Sequence, residues 1–370
     1  MVYRIVSTMS EVLPPLYQAW MDALLPATLP AEERATCLDC AMAPKLGHGP
    51  PDTWFDPSTK CCTWYPELSN FLVGRILADD DPGNAHGRRG ARARIAARAA
   101  VTPLGIWPTP VYESLYDQSV RAVSGTFGHV PALRCPYYVE PGGLCGIWRH
   151  RDAVCSTWFC KFMRGARGAV FWQLVKELLR SVESALRAWC LTQIDLGADA
   201  LRATWIAEGN RRRRPIKIDA FAMAGAADPG DYARMWGRYA GREEELYSEC
   251  ARIVGALTWP EALAIGGGPA QVGATLVVDF FERLRGETPL PERVARGPAL
   301  VQIGVPGRAR VHNASNVNDP LELPARAVEA VPRLAGGPLA EMLAKVQAEG
   351  VPVDEAMVRR MLDWELLVSA

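Results

Sequence analysis

Between residues 170 and 189 apolar side chains return every three or four positions: Val170, Leu174, Val175, Leu178, Leu179, Val182, Leu186 and Trp189. At 3.6 residues per turn these fall on one side, so the stretch predicts a long amphipathic helix. Lys176, Glu177, Arg180, Glu183 and Arg187 are assigned to its polar face. Residues 232–254 and 270–284 read as helices by the same test, and residues 111–123 as another. Residues 79–100 open as a turn-rich acidic loop and become an Arg- and Ala-rich, helix-prone segment. Residues 209–215, with arginines at 211 to 214, read as a loop between two helical stretches. Gly266-Gly267-Gly268 lacks the spacing of a phosphate-binding loop and reads as a turn.

The pattern changes near the C-terminus. Residues 299–305 and 308–312 read as two short strands joined at Pro306-Gly307. Residues 323–331, 338–349 and 353–364 follow with helical spacing, punctuated by Gly336-Gly337 and Gly350. Strands beside three short helices predict a small winged-helix-like α+β domain. The expected fold is mainly α: a cysteine-rich, loop-heavy metal-binding module (1–168) on long helices (169–298), then the winged-helix-like domain (299–370).

Composition narrows the function. The chain has 370 residues, 49% hydrophobic and 22% charged, which is ordinary for a globular protein of two or three domains. Formal net charge is zero, so no global field draws it to nucleic acid or an anionic membrane. Residues 301–370 hold seven Lys/Arg against nine Asp/Glu, a poor balance for gripping phosphates, so a protein or peptide partner is the expectation there. No run of roughly 18 continuous apolar residues suggests a membrane span. The first thirty residues, broken by Pro14, Pro15, Pro26 and Pro30, lack the layout of a signal peptide. The expected compartment is the cytoplasm, where thiols stay reduced and clustered cysteines point to metal rather than disulfides.

Eight of the ten cysteines lie between positions 37 and 160. The first group is Cys37, Cys40, Cys61 and Cys62; the second is Cys135, Cys145, Cys155 and Cys160. Thiolates suit zinc, copper(I) and iron–sulfur clusters. A Cys-x2-Cys turn sets two sulfurs on one centre with little loop-closure cost. The second Cys-x2-Cys of a zinc ribbon is absent, as is the tight cysteine run of a bacterial ferredoxin. In an extended chain, neighbouring Cys61 and Cys62 would point to opposite faces and serve different centres. Tyr137, Tyr138, Ile147, Trp148, Trp158, Phe159 and Phe162 crowd the second group, an apolar shell of the kind that tunes a cluster. The expectation is iron–sulfur, of the 4Fe–4S type with two centres as one partition of the eight thiols; zinc is the alternative.

Cys135-Pro-Tyr-Tyr, Gly143-Leu-Cys-Gly-Ile-Trp-Arg-His-Arg and Val154-Cys-Ser-Thr-Trp-Phe-Cys160 resemble the YkgJ-like cysteine-cluster proteins, described as zinc- or iron-chelating. The resemblance covers residues 35–165. It implies that all eight cysteines of the two groups are ligands, with Cys135, Cys145, Cys155 and Cys160 holding the cofactor. More distantly the chain is similar to bacterial flagellin lysine-N-methylases, which carry such cysteines. Three uses follow: a redox or group-transfer enzyme, a non-catalytic metal or redox sensor, or a metal storage or delivery protein.

Other side chains enter as candidates. His150 is read as a ligand, a proton donor, or a hydrogen-bonded neighbour of the metal, and His48 similarly. Arg149 and Arg151 are read as solvated or paired with nearby acids, with an anionic substrate as the alternative; the arginines of residues 88–98 and 211–214 are read as solvated, with phosphates or acidic partners as the alternative. Cys190 and Cys250 read as buried small hydrophobes.

Overall fold

The structure is a computed structural model that describes residues 13–30, 32, 37, 40, 55–123, 126–159, 161–213, 224–305, 307–313 and 316–370. It is mainly helical, with four small antiparallel sheets among the described residues. The chain forms two compact units, one of residues 1–29, 36–158 and 176–274, the other of residues 30–35, 159–175 and 275–370.

The first unit begins with helix α1 (Pro15–Leu24), whose Tyr17, Trp20 and Met21 are buried. Strand β1 (Leu68–Ser69) leads into α2 (Asn70–Ala78), then α3 (Ala85–Ala97), β2 (Val101–Thr102) and β3 (Gly105–Ile106). β3 lies between β1 and β2. Helix α4 (Pro110–Tyr116) starts at Thr109, whose hydroxyl accepts the Tyr112 amide, and runs on into a π-helical turn at Asp117–Arg121. The segment expected at 111–123 is therefore helical for most of its length, with its last turn widened. A hairpin of β4 (Tyr138–Val139) and β5 (Leu144–Cys145) and the one-turn helix α5 (Ala153–Ser156) follow.

The long helix is α6 (Gly165–Gln193), as the periodicity predicts, and α7 (Ala198–Arg213) comes next. Two assignments on this stretch are corrected. Glu183 is buried, not on a solvated face, and Arg187 is half-buried against the Trp107 ring. Residues 209–213 continue α7 instead of forming a loop; Arg214 and Pro215 lie outside the described residues. The single helix expected over 232–254 is two, α8 (Pro229–Trp236) and α9 (Glu243–Gly255), because the chain turns at Gly237 and Gly241. Helix α9 packs on α2 so closely that a Cβ on Gly74 would stand 2.0 Å from the Tyr247 carbonyl oxygen, so only glycine fits there.

Helix α10 (Trp259–Arg285) runs through the expected turn at 266–268 as a kink at Gly267, with Pro269 inside it. It is the one helix among the described residues long and apolar enough to cross a membrane by length and composition.

The second unit pairs β6 (Val294–Arg296) with a C-terminal strand β10 (Leu367–Ser369). It also holds a meander of β7 (Leu300–Val305), β8 (Arg308–Asn313) and β9 (Asn316–Pro324). Helices α11 (Ala325–Glu329), α12 (Val331–Leu334), α13 (Leu339–Ala348) and α14 (Glu355–Asp363) follow the meander. The helix expected from residue 323 starts later, because Leu323 belongs to β9: Leu321 and Leu323 are buried and Glu322 between them is exposed, the period of a strand. Val311, Leu321, Leu334, Leu343, Val358 and Met361 sit in one apolar core.

Candidate metal centre

Five stretches of the first unit deliver cysteines to one region. Cys61 and Cys62 sit on a turn over residues 57–63, tied down where the Cys62 amide donates to the Thr59 carbonyl at 2.9 Å. The Cys135 amide donates to the Cys62 carbonyl at 2.8 Å, joining the two cysteine groups through the backbone. Cys145 stands opposite Tyr138 in the β4–β5 hairpin, closed by a 2.8 Å bond from the Gly146 amide to the Tyr137 carbonyl. Cys155 lies on α5, whose start is capped by Asp152: its carboxylate accepts the Cys155 amide at 2.9 Å. Cys37 is joined to this region by its carbonyl, which accepts the Lys60 ammonium at 2.7 Å.

The thiols feel one another. Burial pushes the Cys37 thiol up, and charge on Cys61 or Cys145 pushes it further. Cys62 is raised first by its hydrogen bond with Cys61, then by burial, then by charge on Cys61, Cys145 and Cys135. Burial also raises Cys135 and Cys145, and each is raised again by Cys61. Cys155 is raised by burial, by Asp152, and by Cys135 and Cys145. Each thiolate therefore makes the next harder to form, which a cation among them would reverse. The backbone already leans that way. The Tyr137 amide favours charge on Cys135 and the Ile147 amide favours it on Cys145.

The pair Cys61–Cys62 is corrected accordingly: it lies on a turn, not an extended strand, and the two thiols share a hydrogen bond. Cys40 is buried; Cys160 and His48 lie outside the described residues. All nine described cysteines are free thiols. Among the described residues, no three His, Cys, Asp or Glu side chains already stand close enough to hold a metal ion. The donor set nevertheless fits a soft metal by its chemistry: thiols from distant segments, mutually destabilised as anions, with amides that favour charge on two of them.

The expected apolar shell is partly here. Tyr137, Tyr138 and Ile147 are buried beside these cysteines, whereas Phe159 and Phe162 belong to the second unit, where Phe159 packs on Trp172. His150 bonds Asp79 through Nε2 at 2.6 Å. Burial lowers its pKa against the pull of that carboxylate. Arg149 is exposed, but Arg151 is neither solvated nor paired with an acid. It is 8% exposed, lies 3.7 Å over the Trp148 ring, and donates to the carbonyls of Trp148 and Cys155.

Sequence reasoning missed three groups. Glu183 of α6 accepts the Tyr17 hydroxyl and, at 2.9 Å, the Ala153 amide, so it braces the turn that bears Cys155. Burial and then the charge of Asp152 hold its carboxyl up to about 8; burial holds Asp152 up to about 6. The signal was present: Leu179, Glu183, Leu186 and Cys190 share a helical stripe, so Glu183 interrupts an apolar face. Lys60 is the third, and nothing in its local sequence marks it. No family model, curated protein or solved structure matches the chain.

Proposed function

We propose that the first unit is a metal-binding module that draws the ligands of one or two centres from Cys37, Cys40, Cys61, Cys62, Cys135, Cys145 and Cys155. The observation that carries this reading is the convergence of cysteines from five separate stretches, with the Cys135 amide bonded to the Cys62 carbonyl and the Cys37 carbonyl bonded to Lys60 beside Cys61. Buried thiols serving only as core would have no reason to gather where each raises the others. The likeness to YkgJ-like cysteine-cluster proteins supports the same donors.

An iron–sulfur cluster is the proposed occupant, with zinc as the alternative. A cluster would supply one-electron chemistry, and zinc a rigid cross-link. The three-stranded meander and the helices after it support a winged-helix-like reading of the C-terminal region, with a protein or peptide as its partner. The cytoplasm is the proposed compartment. Anaerobic purification followed by iron, zinc and acid-labile sulfide analysis tests the centre. Brown protein with sulfide establishes iron–sulfur, and colourless protein with stoichiometric zinc establishes zinc. Protein that takes up neither ends the reading.

A further inference from the structure

Arg75 stands in the last turn of α2 with nothing to hold. Its side chain is half-buried, its Nε is closed off from water, and among the described residues it makes no hydrogen bond and no ion pair. No carboxylate offsets its burial: the one group that favours its charge is the Tyr17 phenol, which already donates to Glu183. Arg94 and Arg211 are also half-buried, and both have partners. Arg94 donates to the Trp107 carbonyl at 3.0 Å, and Arg211 to the Glu208 carboxylate at 2.9 Å. The dipole of a helix C-terminus favours a cation, but only modestly beside the cost of taking a guanidinium out of water.

The space around Arg75 is open and carries a second cation. A Cβ built on Gly255, the last residue of α9, would meet only the Arg75 Nη2 within 4 Å, at 3.5 Å, so that side of the guanidinium is otherwise clear. Asp79, which ends α2, holds the turn at Trp148–His150 by accepting His150 Nε2 at 2.6 Å. On that turn Arg149 is exposed and, among the described residues, has no hydrogen bond or ion pair. The charges of Arg75 and Arg149 both reach His150 and disfavour a proton on it, so both guanidiniums lie near one imidazole. The Asp79 carboxylate is already committed, one oxygen to His150 and the other to the Asp81 amide at 3.0 Å.

We propose that Arg75 and Arg149 bind an oxyanion, the phosphate or carboxylate group of a small molecule, at the end of α2. A guanidinium offers paired N–H groups in one plane, which match two oxygens of such a group. The oxyanion would supply the partner that the chain itself withholds from Arg75. His150, tied to Asp79, is a positioning residue that fixes the turn bearing Arg149. This site does not depend on the metal-binding reading above.

Titration calorimetry of the wild-type chain with inorganic phosphate and with succinate, each against potassium chloride of equal ionic strength, tests the proposal. Saturable binding of either anion, absent with chloride, is expected, and the tighter of the two names the group. Arg75→Met keeps an apolar stem and removes the fork; it should weaken binding about 10- to 100-fold, the usual worth of a hydrogen bond to a charged group. Arg75→Lys, a point charge without the fork, should fall between. Arg149→Met should also weaken binding, by less. Arg202→Met, at an exposed position of α7, should leave binding unchanged. Wild-type protein that binds neither anion overturns the proposal, and so does Arg75→Met binding as tightly as wild type. Equal weakening in Arg202→Met overturns it in favour of a general field. If Arg75→Met does not fold, Arg149→Met decides, and undiminished binding there overturns the site.

Discussion

The cysteine region and the C-terminal region handle buried charge in opposite ways. In the C-terminal region a contiguous apolar core fixes the meander and helices α11 to α14. Its buried charge, Asp363, is met by the Arg164 guanidinium at 2.6 Å and by the Thr288 hydroxyl. In the cysteine region the elements are short, and the partners of Lys60 and Arg151 among the described residues are backbone carbonyls and, for Arg151, the Trp148 ring. A region stabilised by its own packing balances its charges within itself.

Metal removal should break the symmetry between the two most strongly. Stripping the protein with a chelator should speed amide exchange at Cys62, Cys135 and Gly146 on the order of tenfold or more. Exchange in β8 and α13 should stay unchanged. Equal loosening of both regions, or of neither, would remove the distinction. The converse comes next in size. Leu334 is fully buried, and Leu334→Ala should cost about 2–5 kcal/mol in denaturant unfolding of the C-terminal region. Metal stoichiometry should not change, and a parallel loss of metal would show that the regions are not energetically separate.

The pH dependence should also divide them. Glu183 is held up to about 8 by burial and by Asp152, against about 4.3 in an unfolded chain. Between those values the folded chain holds the extra proton, so stability falls as pH rises. The contribution is complete below about pH 4 and is lost as pH passes 8. Thermal melts of metal-free protein should show this decline for the first unit, on the order of 1–3 kcal/mol for one buried carboxyl. Glu183→Gln should flatten it. A profile that rises with pH would reverse the assignment.

What the sequence disclosed follows from the range of the interactions. Helix α6 was legible because a 3.6-residue period is a local signal, and so were the paired strands β7 and β8. Strand β9 was hidden because Pro320, Pro324 and its polar residues suit an edge strand without advertising one, and Leu323, Ala327 and Val331 also fit a helix. The break at Gly237 was missed because apolar spacing continues across it. At the site, the residue types were legible and their surroundings were not. Lys60 gains its role from carbonyls 23 and 82 positions away, and Arg151 from a ring and a carbonyl its neighbours happen to present.

The smallest effect probes the finest part of the difference. Asp152 caps α5 by accepting the Cys155 amide, yet its charge also raises Cys155, Cys145 and Cys135. Asp152→Ala should cost about 0.5–2 kcal/mol through the lost cap. Asp152→Asn keeps an oxygen for the amide and removes the charge, so it should restore most of that stability. The Asn variant should also hold metal at least as well as wild type, because a charge that opposes the Cys155 thiolate has been removed. Chelator competition on the two variants separates the cap from the charge. Weaker metal retention in the Asn variant than in wild type would mean that Asp152 supports the thiols more than it opposes them.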